Sequence, residues 1–423
     1  MSVMTSFSFL LTGILAFAGA ARAEDAALTA DAVVRLAIAG NPSVRAAQAR
    51  YDSALHQIDQ AYVPQDPQLA WAGSNSLPGL NHPAVKTWTI TEPLQFPGKA
   101  WLQGDQAHRT AEIGRLTYEA AVRDAGAMAQ TQYYQALLDG GLAETAAENA
   151  ATLERVLKVA QVAYAANKVS QSDLISAEFD LAQATQTYIT SKVAEANDEA
   201  ALNQAIGRDP REAMSLADAL TLQPMTSSVD ALIDAGLLVR QELLQAALTE
   251  KNVKTARTLA WMELLPDFSV DVGKNDYTPN GSQPAYDALR THDYNAGVAF
   301  NVPIFFWFRQ KQDIRSADRL LDAARADRRS AELQTKAGIV ILYRTTELAY
   351  ATAALYRDSL VPLARQNFSV ALIAYQSGKV DFTTLSAALQ RIYNARIGYL
   401  TAANQFLAGR VALQSAIGRA FPL

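Results

Sequence analysis

Two carboxylates hold the positions from which this chain could act on charge. Asp173 follows the turn Ala166-Asn167-Lys168, and Asp381 follows the turn Ser377-Gly378-Lys379. An acid just past a turn has two uses. It can answer the positive end of the helix that follows. Where copies of a chain converge, it can also join a ring of like charges that attracts cations. Tyr375 stands just ahead of the second turn and is a third candidate. Lys168 and Lys379 sit in the turns, where a cation can reach the last helical carbonyls or a partner protein. No catalytic constellation accompanies them. The four histidines, His56, His82, His108 and His292, are scattered and form no HExxH-type pair. No glycine-rich phosphate loop precedes a helix. An enzymatic activity, a metal site and a cofactor are therefore not expected.

The elements that place these residues are stated twice. Residues 164–208 fall on residues 375–419 without a gap, and roughly a third of the positions are identical. Tyr164 meets Tyr375, Lys168-Val169 meets Lys379-Val380, and Ile206-Gly207-Arg208 meets Ile417-Gly418-Arg419. A match this long marks a duplicated half-protein, not a short repeat unit. In each copy apolar residues step by three and four: Leu174, Ala177, Leu181, Ala184 and Tyr188, then Leu385, Ala388, Ile392, Ala395 and Tyr399. That spacing predicts a coiled-coil-like helix after each turn. Asn167 and Gly378 tolerate the left-handed backbone that ends the preceding helix. The duplication reaches upstream, where Ala47 meets Ala246 and Pro67 meets Pro266. The chain thus divides into a first repeat at 24–210, a connector at 211–228 and a second repeat at 229–423.

The 423 residues are half hydrophobic, carry a net charge of −5 and include no cysteine. Mild acidity gives no case for nucleic acid. Without cysteine there is no disulfide framework, thiolate metal site, catalytic thiol or lipidated N-terminal cysteine. Residues 1–23 read as a secretory signal. An apolar run at 7–18 precedes Ala21-Arg22-Ala23, an A-x-A-like cleavage site, although no Lys or Arg opens the segment. No later apolar run is long enough for a membrane-spanning helix. The mature chain is then either soluble beyond the inner membrane or inserted as β-strands.

Each half carries one candidate hairpin. Residues 28–62 read as helical, capped by Thr29 or Asp31 and broken at Asn41-Pro42, and residues 229–265 correspond. After Pro67 and Pro266 the period falls to two. Leu69 and Trp71 alternate with Gln68 and Ala70; Phe268, Val270 and Val272 alternate with Ser269, Asp271 and Gly273. Polar loops follow at 74–83 and 274–293, holding His82 and His292. Alternation returns in Trp88, Ile90 and Leu94, and in Tyr294, Ala296, Val298, Phe300 and Val302. These strands end at Pro93 and Pro303 and have the length that crosses an outer membrane. Aromatics with cations beside them follow at once: Phe96 and Trp101 around Pro97-Gly98-Lys99, and Phe305-Phe306-Trp307-Phe308-Arg309. With Trp88 they suit a membrane–water interface, or else a core cluster where strand meets helix.

Next comes a long helix at 99–164, with Ile113, Ala120, Ala127 and Tyr134 on one heptad row and Leu116 and Leu137 beside it. At about 1.5 Å per residue it spans on the order of 100 Å. Gly140-Gly141 is a place to kink it. Its counterpart at 309–376 is interrupted near Val361-Pro362. The fold class is mainly α with a small β part. Four strands cannot close a barrel, and an open sheet in lipid leaves edge groups unsatisfied. The hairpins must close with other copies, and three copies give twelve strands. The long helices then continue the barrel as a tube with sixfold pseudo-symmetry.

With these pieces in place the chain resembles the TolC family of outer-membrane efflux proteins, over essentially all of its mature length. The marks are Asn41-Pro42, Leu265-Pro266 before a strand, Pro93-Leu94 and Pro303-Ile304 at strand ends, the turns Asn167-Lys168-Val169 and Gly378-Lys379-Val380, and the closing Ile-Gly-Arg. The resemblance implies a homotrimeric channel-tunnel in outer-membrane lipid with a long periplasmic extension. It implies two partners, a periplasmic adaptor and an inner-membrane pump of the resistance-nodulation-division type. Phe96-Pro97-Gly98-Lys99 is similar to the heavy-metal efflux branch, which leans the cargo toward metal cations. A drug or small-molecule duct is the alternative, and a periplasmic coiled-coil scaffold a more remote one. The resemblance puts both turns at the tunnel's inner mouth and makes Asp173, Asp381 and Tyr375 gate candidates. It gives Asn167, Lys168, Val169, Gly378, Lys379 and Val380 to the adaptor. Where relatives carry an arginine and an aspartate after the second tip, this chain has Val380 and Thr384, so a latch needs other partners.

Overall fold

The structure is a computed structural model that describes residues 27–74, 85–217, 220–277 and 292–418. The signal segment, His82 and Arg419 lie outside those residues, as does most of each polar loop.

Asn41 both ends and begins a helix. Its N–H donates to Ala37 at the end of α1 (Ala30–Gly40), while its side chain accepts from the Ser43 N–H at 2.9 Å and opens α2 (Pro42–Tyr62). Pro42 sits in the first turn, where no intrahelical N–H is needed. Thr29, not Asp31, caps α1 through its hydroxyl. In the second half α5 (Val229–Val239) and α6 (Gln241–Met262) take the same places, with Ser228 as the first cap.

The sheet is antiparallel in the order β1 (Gln68–Ser74), β2 (Val85–Leu94), β3 (Asp267–Tyr277), β4 (His292–Asn301). Its register sorts the residues by polarity. Leu69, Ile90, Val272 and Ala296 form one cross-strand row, and Trp71, Trp88, Lys274 and Tyr294 form the next row of that face. The opposite face carries Gln68, Thr91, Asp271 and Gly297, then Ala72, Thr87, Asn275 and Asp293. The apolar face is uncovered: Leu69, Trp71, Ile90, Tyr294 and Phe300 are all exposed. Among the described residues β1 and β4 each pair on one side only.

Three strand boundaries depart from expectation. β2 runs through Pro93 to Leu94, because its pairing with β1 already stops at Thr91 and the missing N–H costs no bond on that side. β4 stops at Asn301, short of Val302. His292 opens β4 opposite Asp276 and is not a loop residue.

Beyond the sheet the molecule is helical. α3 (Lys99–Ala165) is one helix of 67 residues that passes through Gly140-Gly141 without interruption, and it turns back as α4 (Gln171–Ile206). The other arm is α7 (Gln310–Leu355), a π-turn (Tyr356–Leu360) and α8 (Val361–Gln376), returning as α9 (Phe382–Ile417). The π-turn stands just ahead of Pro362, where a widened turn accommodates the absent N–H. No described helix is long and apolar enough to cross a membrane.

The heptad row expected on α3 is not its most buried stripe. Ile113, Ala120, Ala127 and Tyr134 are half-buried, whereas Ala129, Tyr133 and Ala136 are buried. α3 packs against α1, α2, α4, α6 and α9 along its length, so no single seam serves all of them. The core is accordingly divided. One cluster joins Val33, Tyr133, Leu202 and Ile206; its counterpart joins Leu232, Ile339, Leu413 and Ile417. A third lies at the helical tips, around Ala160, Ala177, Tyr375, Phe382 and Leu385. Each buried large side chain contributes about 1.5–3 kcal/mol, and the alanines between them let the helices approach closely.

Candidate functional site

The two hairpin tips are built alike. At the first, Asn167 takes the left-handed backbone at φ 55°, and the Lys168 N–H donates to the Ala163 carbonyl at 2.9 Å. At the second, Gly378 has φ 71°, and the Lys379 N–H donates to the Ala374 carbonyl at 2.9 Å. These six-to-one closures satisfy the final carbonyls of each helix through the backbone. Neither lysine side chain is needed for that. Asn167, Lys168, Gly378 and Lys379 are exposed. Val169 and Val380 are half-buried and pack on the tip cluster, so they support the turns from inside.

The three gate candidates separate. Asp381 serves its own helix: it accepts from the Thr384 N–H at 2.9 Å and the Thr384 hydroxyl at 2.6 Å. Those bonds hold its carboxyl below the usual carboxylate range. Thr384 is thus a donor to Asp381. Asp173 closes a capping box with Ser170, each residue's side chain accepting from the other's N–H. Tyr375 is 3% exposed, and its hydroxyl has no hydrogen-bond partner. Burial pushes that phenol above its usual value, and the charge of Asp173 pushes in the same direction. The charge of Asp173 is thus felt at Tyr375, while Asp381 is committed to Thr384.

Three further groups escaped the sequence reading. The Ser386 hydroxyl donates to Asp180 at 2.6 Å and ties α9 to α4. Asp180 lies one heptad after Asp173, a spacing that pointed to the same helix face. Farther along α3, burial, then the neighbouring Asp198, raises Asp139 to about 6. The signal for it was Glu195, Asp198 and Glu199 at helical spacing, and burial likewise raises Glu199, with Glu195 adding to it. Third, Lys99 is 2% exposed at the joint between sheet and helices. Its ammonium lies 2.9 Å and 3.0 Å from the two Asp267 oxygens and 3.2 Å from Glu263. Asp267 also accepts from the Phe96 N–H at 2.7 Å. Gly98, at φ 97°, makes the corner that turns Lys99 inward.

The aromatic residues behave as a surface. Trp88, Phe305, Phe306, Trp307 and Phe308 are all exposed, and the Lys311 ammonium stands 4.5 Å above the Trp307 ring. Among the described residues no group of three His, Asp or Glu could hold a metal ion.

Comparison with known proteins agrees with this geometry. The family model described as outer membrane efflux protein matches residues 33–208 and 232–419. The cobalt-zinc-cadmium resistance protein CzcC of Cupriavidus metallidurans is 24% identical over 400 residues, covering 93% of this chain and 90% of the relative. Among solved structures, the CusC channel superposes with a TM-score of 0.77 at 14% identity, covering 94% of this chain and 93% of that one. The Campylobacter jejuni CmeC outer membrane channel does so with a TM-score of 0.77 at 14% identity, covering 92% and 85%. The chain belongs to the outer membrane efflux protein family, whose members are channels and not enzymes.

Proposed function

We propose that three copies of this chain form a passive export duct, with a twelve-stranded barrel in the outer membrane and a helical tunnel in the periplasm. The observation that carries this reading is the two-faced sheet. It has an uncovered apolar face, a polar face and two half-paired edges. In lipid such a sheet is stable only when its edges meet other copies. The exposed aromatics at its helical end then lie at the inner membrane–water interface. The two halves, 24–210 and 229–423, act as pseudo-equivalent repeats joined by 211–228. Energy comes from an inner-membrane pump of the resistance-nodulation-division type, coupled through a periplasmic adaptor that meets the exposed tip residues.

Heavy-metal cations are the favoured cargo. The name of the CzcC relative supports this. So does the polar face of the sheet, whose charged residues in the described strands are all acidic, Asp267 (paired with Lys99), Asp271 and Asp293, while the apolar face mixes Lys86 and Lys274 with Glu92 and Asp276. In closed form Asp173 lines the narrowed mouth beside the tip cluster that holds Tyr375, and adaptor binding shifts the population to the open form. Single-channel recording in a planar bilayer tests the reading, wild type beside Asp173→Ala. Small cation-selective openings that enlarge in the variant are expected. Channels indifferent to the substitution would remove the gate and keep the duct. Absence of channels from folded, inserted protein would overturn the duct itself.

A further inference from the structure

The aromatic turn at 305–309 runs directly into α7. The Arg309 N–H donates to the Phe305 carbonyl at 3.2 Å, and the Lys311 N–H to the Phe306 carbonyl at 2.9 Å. Lys311 and Arg315 follow one helical turn apart on one face of α7. Helical side chains lean toward the N-terminus of their helix. For α7 that end is the sheet, so both cations lean toward the exposed aromatics, as the Lys311 ammonium over Trp307 shows. Arg309 and Arg315 are exposed, and Asp313 is the acid between them. Among the described residues Arg309, Lys311 and Arg315 have no ion pair, whereas the arginines farther along α7 are neutralised. Arg319 and Arg325 pair with Asp322, and Arg328 and Arg329 share Glu332. In the first half the cations at the matching place pair locally: Lys99 with Asp267, Arg109 with Asp105 and Arg115 with Glu112. Uncompensated positive charge is thus gathered in the first turns of α7, beside the exposed Phe305, Trp307 and Phe308.

We propose that this segment binds the phosphate headgroup of an anionic phospholipid in the leaflet that faces the helices. The proposal rests on the duct reading above and names the lipid at its inner interface. With the aromatics at the edge of the hydrocarbon, the cations fall at the depth of the headgroups. By the helical rise of about 1.5 Å per residue, Lys311 lies about 6 Å past Trp307 and Arg315 about 12 Å past it. Headgroups extend about 5–7 Å beyond the hydrocarbon on each side. Lys311 then sits within that layer, and the Arg315 guanidinium reaches back toward it along its stem. Arginine forks onto two phosphate oxygens, and lysine adds a point charge. A zwitterionic lipid brings its own ammonium to the same place and loses this attraction, whereas a lipid of net negative charge keeps it. The arrangement belongs to the second half only, which gives one such site per copy of the chain.

The test uses the full-length protein reconstituted into phosphatidylcholine vesicles that contain a minor fraction of brominated lipid, either phosphatidylglycerol or phosphatidylcholine. Bromine quenches tryptophan only at close range, and the emission lost in Trp307→Phe isolates the share of Trp307. At low salt brominated phosphatidylglycerol should be enriched about fivefold over brominated phosphatidylcholine beside Trp307, the order expected for one cation acting on one lipid charge. The enrichment should fade at high salt and vanish in Arg309→Gln/Lys311→Gln/Arg315→Gln. Equal quenching by the two lipids, or an enrichment that survives the triple substitution, overturns the proposal. Loss of the enrichment to millimolar glycerol phosphate at constant ionic strength also overturns it, by assigning the cations to a soluble anion. Trp71 and Trp88 of the sheet, read through Trp71→Phe/Trp88→Phe, separate this proposal from the duct. Quenching of that pair by brominated phosphatidylcholine with no lipid preference at Trp307 defeats the headgroup site alone. Folded protein that neither lipid quenches defeats the membrane reading on which the site rests.

Discussion

Lys99 offers the sharpest test of the physical reasoning. Its ammonium sits at the joint where β2, β3 and α3 meet, and it is almost fully buried. Lys99→Met keeps the length of the stem and removes the charge. Removing one partner of a fully buried pair costs about 3–5 kcal/mol. Here the carboxylates are not fully buried: Asp267 is 36% exposed and Glu263 55%. Water can therefore replace part of the lost interaction, and Asp267 keeps the Phe96 N–H. The expected cost falls to about 2 kcal/mol. For a chain of this size that lowers the unfolding midpoint by about 2 °C. The assay is the heat-induced mobility shift of folded protein on detergent gels, backed by a double-mutant cycle with Asp267→Asn. Lys99→Met should be rescued in part by Asp267→Asn, because the second change removes the charge left behind. An unchanged midpoint for Lys99→Met, or strictly additive effects, would refute the account of the joint. For the proposed duct, channel conductance should survive the substitution, since the Lys99 side chain is buried within one copy of the chain.

Other residues make separate predictions. Tyr375→Phe should leave folding unchanged or stabilise it by about 1 kcal/mol, because the buried hydroxyl has no partner, whereas Tyr375→Ala should cost about 3–5 kcal/mol by emptying the tip cluster; chemical denaturation compares them. Ser386→Ala should loosen the tie between α4 and α9 and increase amide exchange near Asp180, and unchanged exchange there would count against it. Asp139 titrates near 6 instead of the ordinary 3.8, so the folded chain binds its proton more tightly than the unfolded one. Stability from this group is therefore highest below about pH 4 and falls as pH rises through 6, by about 1–2 kcal/mol after allowance for partial exposure. Asp139→Asn should be more stable than wild type at pH 7.5 and equal to it near pH 4, as read from thermal midpoints across pH.

Much of the architecture was legible in local pattern. Period two over Leu69, Trp71, Trp88 and Ile90 already separated two faces, and the register placed those four side chains together. The turn at Gly378 and the double role of Asn41 followed from backbone preferences that need no distant partner. Boundaries were less legible. Whether Pro93 belongs to β2 depends on where β1 ends, and that lies in another segment of the chain.

The helices, strands and tips were determined by the sequence itself, because caps, breakers and hydrophobic periods act over a few residues. The pairings that give the molecule its chemistry were decided only by tertiary structure. Lys99 meets Asp267 across 168 residues, and Ser386 meets Asp180 across 206. Asp173 and Asp381 look equivalent in sequence, yet Asp173 closes a capping box with Ser170, while Asp381 is taken up by Thr384. The physical reason is common to all of them. A carboxylate's role is set by what excludes water from it and what donates to it, and both are properties of packing between elements far apart in the chain.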